Sequence, residues 1–155
     1  MKKLPCLMIC YLFLCGCGSS APAEAERIVE LAVNDVVCDI TPYVDGLNSA
    51  GGIFDSMGEH LPTIAAKAGD EISLRFITKA PASVSVKKYD IFNMKNNVLG
   101  APSSRSDPYD MEFVYEEDEL SVSLEDGASG HQLLCFICDK GEEDGIQYGI
   151  VVATE

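Results

Sequence analysis

The sequence predicts an all-β fold, an antiparallel β-sandwich, on three observations. Several segments alternate apolar and polar residues with the two-residue period of a strand. Gly-, Pro- and Asp-rich turn signals recur about every 10 to 15 residues. No long segment carries a helical repeat beyond the amino-terminal apolar run.

That run comes first in the chain. Lys2 and Lys3 are followed by an apolar stretch from Leu4 to Leu14 that ends in Leu14-Cys15-Gly16-Cys17. It is short for a bilayer span and has the charge and length of an export signal helix. Leu, a small residue, Gly and then Cys, placed just after the apolar run, resemble the lipobox of bacterial lipoproteins. The resemblance covers residues 1–17. It implies that residues 1–16 are removed, that the Cys17 thiol carries a lipid, and that the protein sits on the extracytoplasmic face of a cell membrane. The partner implied is then the membrane itself, through the lipid on Cys17. Residues 17–27 read as the lipidated cysteine and a flexible tether, because the small and polar run from Gly18 to Arg27 buries too little apolar surface to order itself. Ten such residues reach at most roughly 35 Å.

Residues 28–155 form one domain, with enough chain for a core. Residues 28–40 fit a helix through Ile28, Leu31 and Val36, but Val29, Leu31, Val33 and Val37 favour a strand through their β-branched content. Glu71 to Phe76 sets Ile72, Leu74 and Phe76 on one face, after the turn signal Ala68-Gly69-Asp70. Ser83 to Val86 starts a further strand, with a bulge expected where Lys87-Lys88 shifts the phase. Met111 to Tyr115 is expected as one strand with Phe113 and Tyr115 on one side. Leu120, Val122 and Leu124 mark another, and Ile146, Tyr148, Ile150 and Val152 the last. Leu133 to Cys138 is apolar on both faces, as a central strand requires. Gly141-Glu142-Glu143-Asp144-Gly145 reads as the hairpin loop between these last two strands.

The passage from Leu61-Pro62 through Gly69-Asp70 into Ile72-Ser73-Leu74, with a closing hairpin over 132–154, resembles an immunoglobulin-like sandwich of the kind found in small exported lipoproteins. The likeness is architectural and spans roughly residues 61–154. The buried Trp of antibody-type domains is missing, since the chain has no Trp. A small jelly roll or an open barrel is the alternative.

Charge narrows the function. Loss of Lys2 and Lys3 with the signal leaves nine of the 11 basic residues against 25 acidic ones. No nucleic acid is expected as a partner, because its binders need basic surface. Three cysteines lie beyond the signal and lipidation site: Cys38, Cys135 and Cys138. An exported chain permits one disulfide among them. Cys135 and Cys138 have C-x-x-C spacing, but on a strand residues three apart face opposite ways, about 10 Å apart along the chain. Redox pairs of this type sit instead at a helix amino terminus.

Catalytic motifs are not evident. His60 and His131 are the only histidines, no G-x-S-x-G surrounds a serine, and no P-loop or G-x-G-x-x-G occurs. His131 follows Ser129-Gly130 at an expected strand start and reads as a surface side chain in a turn. No catalytic residue, resident metal or cofactor is therefore expected, and the domain reads as a non-catalytic module that binds an unknown protein or small ligand. The alternatives are a peptidase inhibitor or sensor accessory, acting through a loop such as 93–110, and a calcium-binding exported domain. Calcium would use Glu116-Glu117-Asp118-Glu119 or Glu142-Glu143-Asp144, neither of which has EF-hand spacing. The two patternless stretches, 41–60 and 93–110, are the places expected to carry a binding surface.

Overall fold

The computed structural model describes residues 29–46, 62–92, 94–95, 98–99, 106–126, 130–139 and 145–154. The signal segment, Cys17 and the tether lie outside them. The strands are β1 (Val29–Val33), β2 (Val36–Val37), β3 (Tyr43–Gly46), β4 (Thr63–Ala66), β5 (Glu71–Phe76), β6 (Val84–Ile91), β7 (Met94–Lys95), β8 (Val98–Leu99), β9 (Tyr109–Asp110), β10 (Val114–Glu116), β11 (Glu119–Ser123), β12 (Gly130–Cys138) and β13 (Ile146–Thr154). Among the described residues there is no helix.

Two sheets form the sandwich. The five-stranded sheet runs β10-β11-β5-β1-β2, and the six-stranded sheet runs β3-β13-β12-β6-β9 with β4 also on β13. The edge of β13 is shared: β3 pairs antiparallel with Ile146–Gly149, and β4 pairs parallel with Val151–Thr154. Every other pairing is antiparallel. The connectivity is immunoglobulin-like. Strands β1, β5, β11 and β10 take the places of A, B, E and D in one sheet, and β6, β12 and β13 those of C, F and G in the other.

Strand period explains which side chains meet. Leu31, Ile72, Leu74, Phe76, Leu120 and Val122 project from the five-stranded sheet onto Val86, Leu134, Phe136, Tyr148, Ile150 and Val152 of the six-stranded one. Phe76 makes edge contacts with Tyr115 and Tyr148, with ring centroids 6.3 Å apart in both, a geometry worth about 0.5–1.5 kcal/mol per pair beyond area burial. The Tyr115 hydroxyl donates to the Pro81 carbonyl at 2.8 Å and so links β10 to the segment entering β6. β12 lies between β13 and β6 and is buried from Gln132 to Cys138.

Four local expectations change. The stretch 29–37 is a tight hairpin rather than one strand. Asn34 and Asp35 both adopt left-handed backbone, φ 48° and 64°, as a two-residue type I′ turn requires. The Lys87-Lys88 bulge is absent, and the β6–β12 ladder runs unbroken from Ile91↔His131 to Val84↔Cys138. The phase holds because Lys88 points inward with Val84 and Val86. It is 5% exposed, and its Nζ pairs with Glu125 at 3.1 Å and lies 5.2 Å above the Tyr109 ring. Burial of a cation is tolerated when it is paired in this way. The segment 111–115 is split: Asp110 ends β9 on one sheet and Val114 starts β10 on the other, so Met111 to Phe113 cross between layers. His131 is the second residue of β12, at the strand start expected, but it is half-buried in the ladder opposite Ile91 and Ala153 and not in a turn.

Asp70 ties three segments together at one end of the sandwich. Its carboxylate accepts from Asn34 Nδ2 at 2.8 Å and from the Lys67 amide at 2.7 Å. The Leu124 amide donates to the Asp70 carbonyl at 2.9 Å, and Asn34 Oδ1 accepts the Glu71 amide at 2.9 Å. The preceding Gly69 has φ +86°, a conformation that strains any residue with a Cβ.

Two predictions follow from this packing. Phe136 is fully buried between Val86 and Tyr148, so Phe136→Ala should lower unfolding stability by about 3–5 kcal/mol, read by urea denaturation. The bonds from Asn34 and then Lys67 hold the Asp70 carboxyl below its ordinary pKa. Its ionisation therefore stabilises the fold above the ordinary carboxylate range, and that contribution is lost as pH falls through the folded-state value. Asp70→Asn should be less stable than wild type at neutral pH, and the gap should narrow on acidification. A gap of constant size across the titration would show that the charge contributes nothing.

Candidate functional site

The outward face of the five-stranded sheet is built in cross-strand rows. Glu30, Arg75, Glu119 and Glu116 stand side by side on β1, β5, β11 and β10. Arg75 Nη2 and Nε lie 2.8 and 3.0 Å from Glu119 Oε2, and its Nη1 is 3.8 Å from Glu30. These carboxylates, Glu119 first, raise the pKa of an already permanent cation. The next row is Ala32, Ser73, Ser121 and Val114, and Glu71 stands opposite Ser123 beyond it.

Two open troughs flank Val114 and Ser121. One, of about 510 Å³, is lined by Glu71, Asp110, Glu112 and Glu125 with Phe113 and Val114. The other, of about 460 Å³, is lined by Arg75 and the acidic turn Glu116 to Glu119. Lys87 pairs with Asp110 at 2.8 Å, and Lys88 pairs with Glu125 from below. Among the described residues, Glu71, Glu112, Glu116, Glu117 and Asp118 have no ion-pair partner. Phe113 and Val114 are 39% and 56% exposed between them. The surface thus offers carboxylates around a small apolar ridge, the complement of a cation with an apolar part.

The cysteines take separate roles. None of Cys38, Cys135 and Cys138 is in a disulfide. Cys38 and Cys138 border the inter-sheet core, whereas Cys135 joins Ile91, Leu133 and Val151 on the opposite face of the six-stranded sheet. Burial pushes the Cys135 thiol up to about 12. The acidic turn 116–119 is a hairpin corner, with Glu117 at φ 54°. Among the described residues no three acidic, His or Cys side chains converge on a metal-sized centre. His131 makes no hydrogen bond to a hydroxyl or thiol among them. His60, Glu142-Glu143-Asp144 and most of 41–60 and 93–110 lie outside the described residues. Of these two stretches, β3, the β7–β8 pair and residues 106–110 are placed.

Of the trough residues, the sequence offers Asp110, within 93–110, and the acidic turn 116–119 as candidates, but not Glu71, Glu112, Phe113, Val114 or Glu125. Alternation at 71–76 and 119–123 already turned Glu71, Ser73, Ser121 and Ser123 outward. Nothing local brings Glu112 and Glu125 beside Glu71.

No family model matches the chain, and no curated protein matches it. Two solved structures resemble it. One is a chitin binding domain from Burkholderia pseudomallei, 11% identical with a TM-score of 0.38 over 63% of this chain and 57% of that one. The other is an AA10 lytic polysaccharide monooxygenase from Streptomyces lividans, 12% identical with a TM-score of 0.37 over 60% and 58%. The chain thus matches less than two thirds of either structure's length, and the likeness carries nothing about ligand or chemistry.

Native-state alkylation tests the thiol environments. At neutral pH the Cys135 thiolate fraction should be roughly a thousandfold below that of an exposed thiol. Brief iodoacetamide treatment followed by peptide mapping should modify Cys38 and leave Cys135 and the fully buried Cys138 unmodified. Loss of two hydrogens in a peptide joining any two of the three would reveal a bridge instead.

Proposed function

We propose that the chain is a non-catalytic binding domain, held at the extracytoplasmic face of a bacterial membrane by a lipid on Cys17. The observation that carries the binding role is the trough beside β10 and β11, where Phe113 and Val114 stand exposed beside Glu71 and Glu112, two carboxylates with no ion pair among the described residues. Its ligand is cationic with an apolar part. One wall of the opening is the paired strands β5 and β11, which hold Glu71, Ser121 and Ser123 in fixed rows, and the other is the 110–114 crossing that carries Glu112 and Phe113. The anchor is supported by the lipobox resemblance at Leu14 to Cys17, and β1 begins at Val29, just past the tether.

The anchor and the ligand class are tested separately. Protein extracted from membranes should carry a lipid-sized mass increment on Cys17, and Cys17→Ala should release it to the soluble fraction. An unmodified Cys17 in membrane-derived protein would overturn the anchor. In thermal-shift measurements at low salt, aromatic quaternary ammonium ions should raise the melting midpoint and aromatic carboxylates should not. The shift should shrink in Phe113→Ser and with added salt. Equal responses to both charges would overturn the binding reading and leave the anchor untouched.

A further inference from the structure

The other end of the same sheet is an open edge. β2 is the outermost strand of the five-stranded sheet. Its register with β1 closes a two-residue turn through Val33↔Val36, continues through Ala32↔Val37, and is followed by a bond from the Cys38 amide to the Leu31 carbonyl at 2.8 Å. In an antiparallel ladder hydrogen-bonded and non-hydrogen-bonded pairs alternate. Val36 and Cys38 therefore bond inward to β1, and the Val37 amide and carbonyl point away from it. Among the described residues nothing bonds to them.

Natural sheets protect such edges with very short strands, charged side chains, proline or a bulge. β2 is two residues long and Pro42 follows it, but residues 36–41, Val-Val-Cys-Asp-Ile-Thr, carry no lysine and no proline. Instead Val36, Val37, Ile40 and Ile77 are 69%, 55%, 36% and 52% exposed. Val37, Ile40 and Ile77 line a shared hollow of about 250 Å³ along this edge. The only charges placed by residues 35–41 are Asp35 and Asp39, and neither is ion-paired among the described residues.

We propose that this edge accepts an extended peptide segment of another protein as an added strand beside β2. The segment is apolar at its centre and basic at both ends. Main-chain bonds to Val37 supply the pairing, the central residues cover Val37 and Ile40, and the terminal cations meet Asp35 and Asp39. A second copy of this chain is the wrong occupant. Antiparallel pairing of two β2 strands centred on Val37 places Asp35 of each copy opposite Asp39 of the other, and like charges directly opposite are destabilising. The edge is separate from the trough beside β10, so this inference does not depend on the ligand assigned there.

The test uses the full chain in detergent with two fluorescent probes, Lys-Val-Thr-Val-Lys and Glu-Val-Thr-Val-Glu, followed by anisotropy. The basic probe should bind about tenfold more tightly than the acidic one at low salt. Val37→Pro, which removes the outward amide of an edge strand without touching a β1 bond, should abolish binding. Asp39→Lys, at an exposed position, leaves one charge of each sign beside Val37 and should abolish the preference between the probes. Hydrogen exchange at the Val37 amide should slow when the basic probe is present. Equal affinity of the wild type for both probes, or binding that survives Val37→Pro in a folded variant, would overturn the proposal. Self-association lost in Val37→Pro would also overturn it, by making a second copy the occupant.

Discussion

β12 has no solvent face from Gln132 to Cys138, and the rest of the sandwich is arranged around that constraint. A strand apolar on both sides is stable only where both faces of its sheet are covered. On the inner side the cover is the five-stranded sheet, through Leu31, Ile72, Leu74, Phe76, Leu120 and Val122. On the outer side Leu133 and Cys135 gather Ile91 and Val151, with Tyr43 and Tyr89 packed against them. Two long neighbours, β6 and β13, bond to β12 along its length, so its backbone groups are satisfied without water. The elevated thiol pKa of Cys135 is a by-product of the same burial.

Polar groups are managed at the margins of this core. Lys88 is buried there with Gln132, Asp139, Gln147 and Thr154, and Glu125 and the Tyr109 ring compensate its charge. Asp70 works at the other level. It replaces backbone partners for the turn between β4 and β5 and fastens that turn to Asn34. Sheet ends lack ladder partners, and side-chain acceptors of this kind supply them.

The acidic excess is not spread evenly in its effects. Arg75, Lys87 and Lys88 neutralise part of it by direct pairing. Among the described residues, carboxylates without an ion pair include Glu71, Glu112 and Glu116 to Asp118 around the β10–β11 corner, beside the exposed Phe113 and Val114, and Asp35 and Asp39 at the β2 edge, beside Val36 and Val37. Both surfaces combine apolar area with uncompensated negative charge. Electrostatic complementarity of that kind selects the sign of a partner more strongly than it raises affinity.

The sequence by itself determined the strand character of the domain, the inward faces of 71–76, 120–124 and 146–152, and the centrality of 133–138. These are local properties: a two-residue period and turn chemistry are written in neighbouring residues. The resemblance of Leu14 to Cys17 to a lipobox is likewise a linear one and needs no fold. Tertiary structure decided the rest. Lys88 looks like a phase error until Glu125, 37 residues away, is seen to receive it. Met111 to Tyr115 looks like one strand until the chain is seen to pass from one sheet to the other. Asn34-Asp35 is a turn because β1 and β2 both need a neighbour. The trough exists because β5, β11 and the 110–114 crossing converge, and the open edge exists because β2 is last in its sheet. Which segments become neighbours depends on packing and closure between distant parts of the chain, and no local pattern encodes that choice.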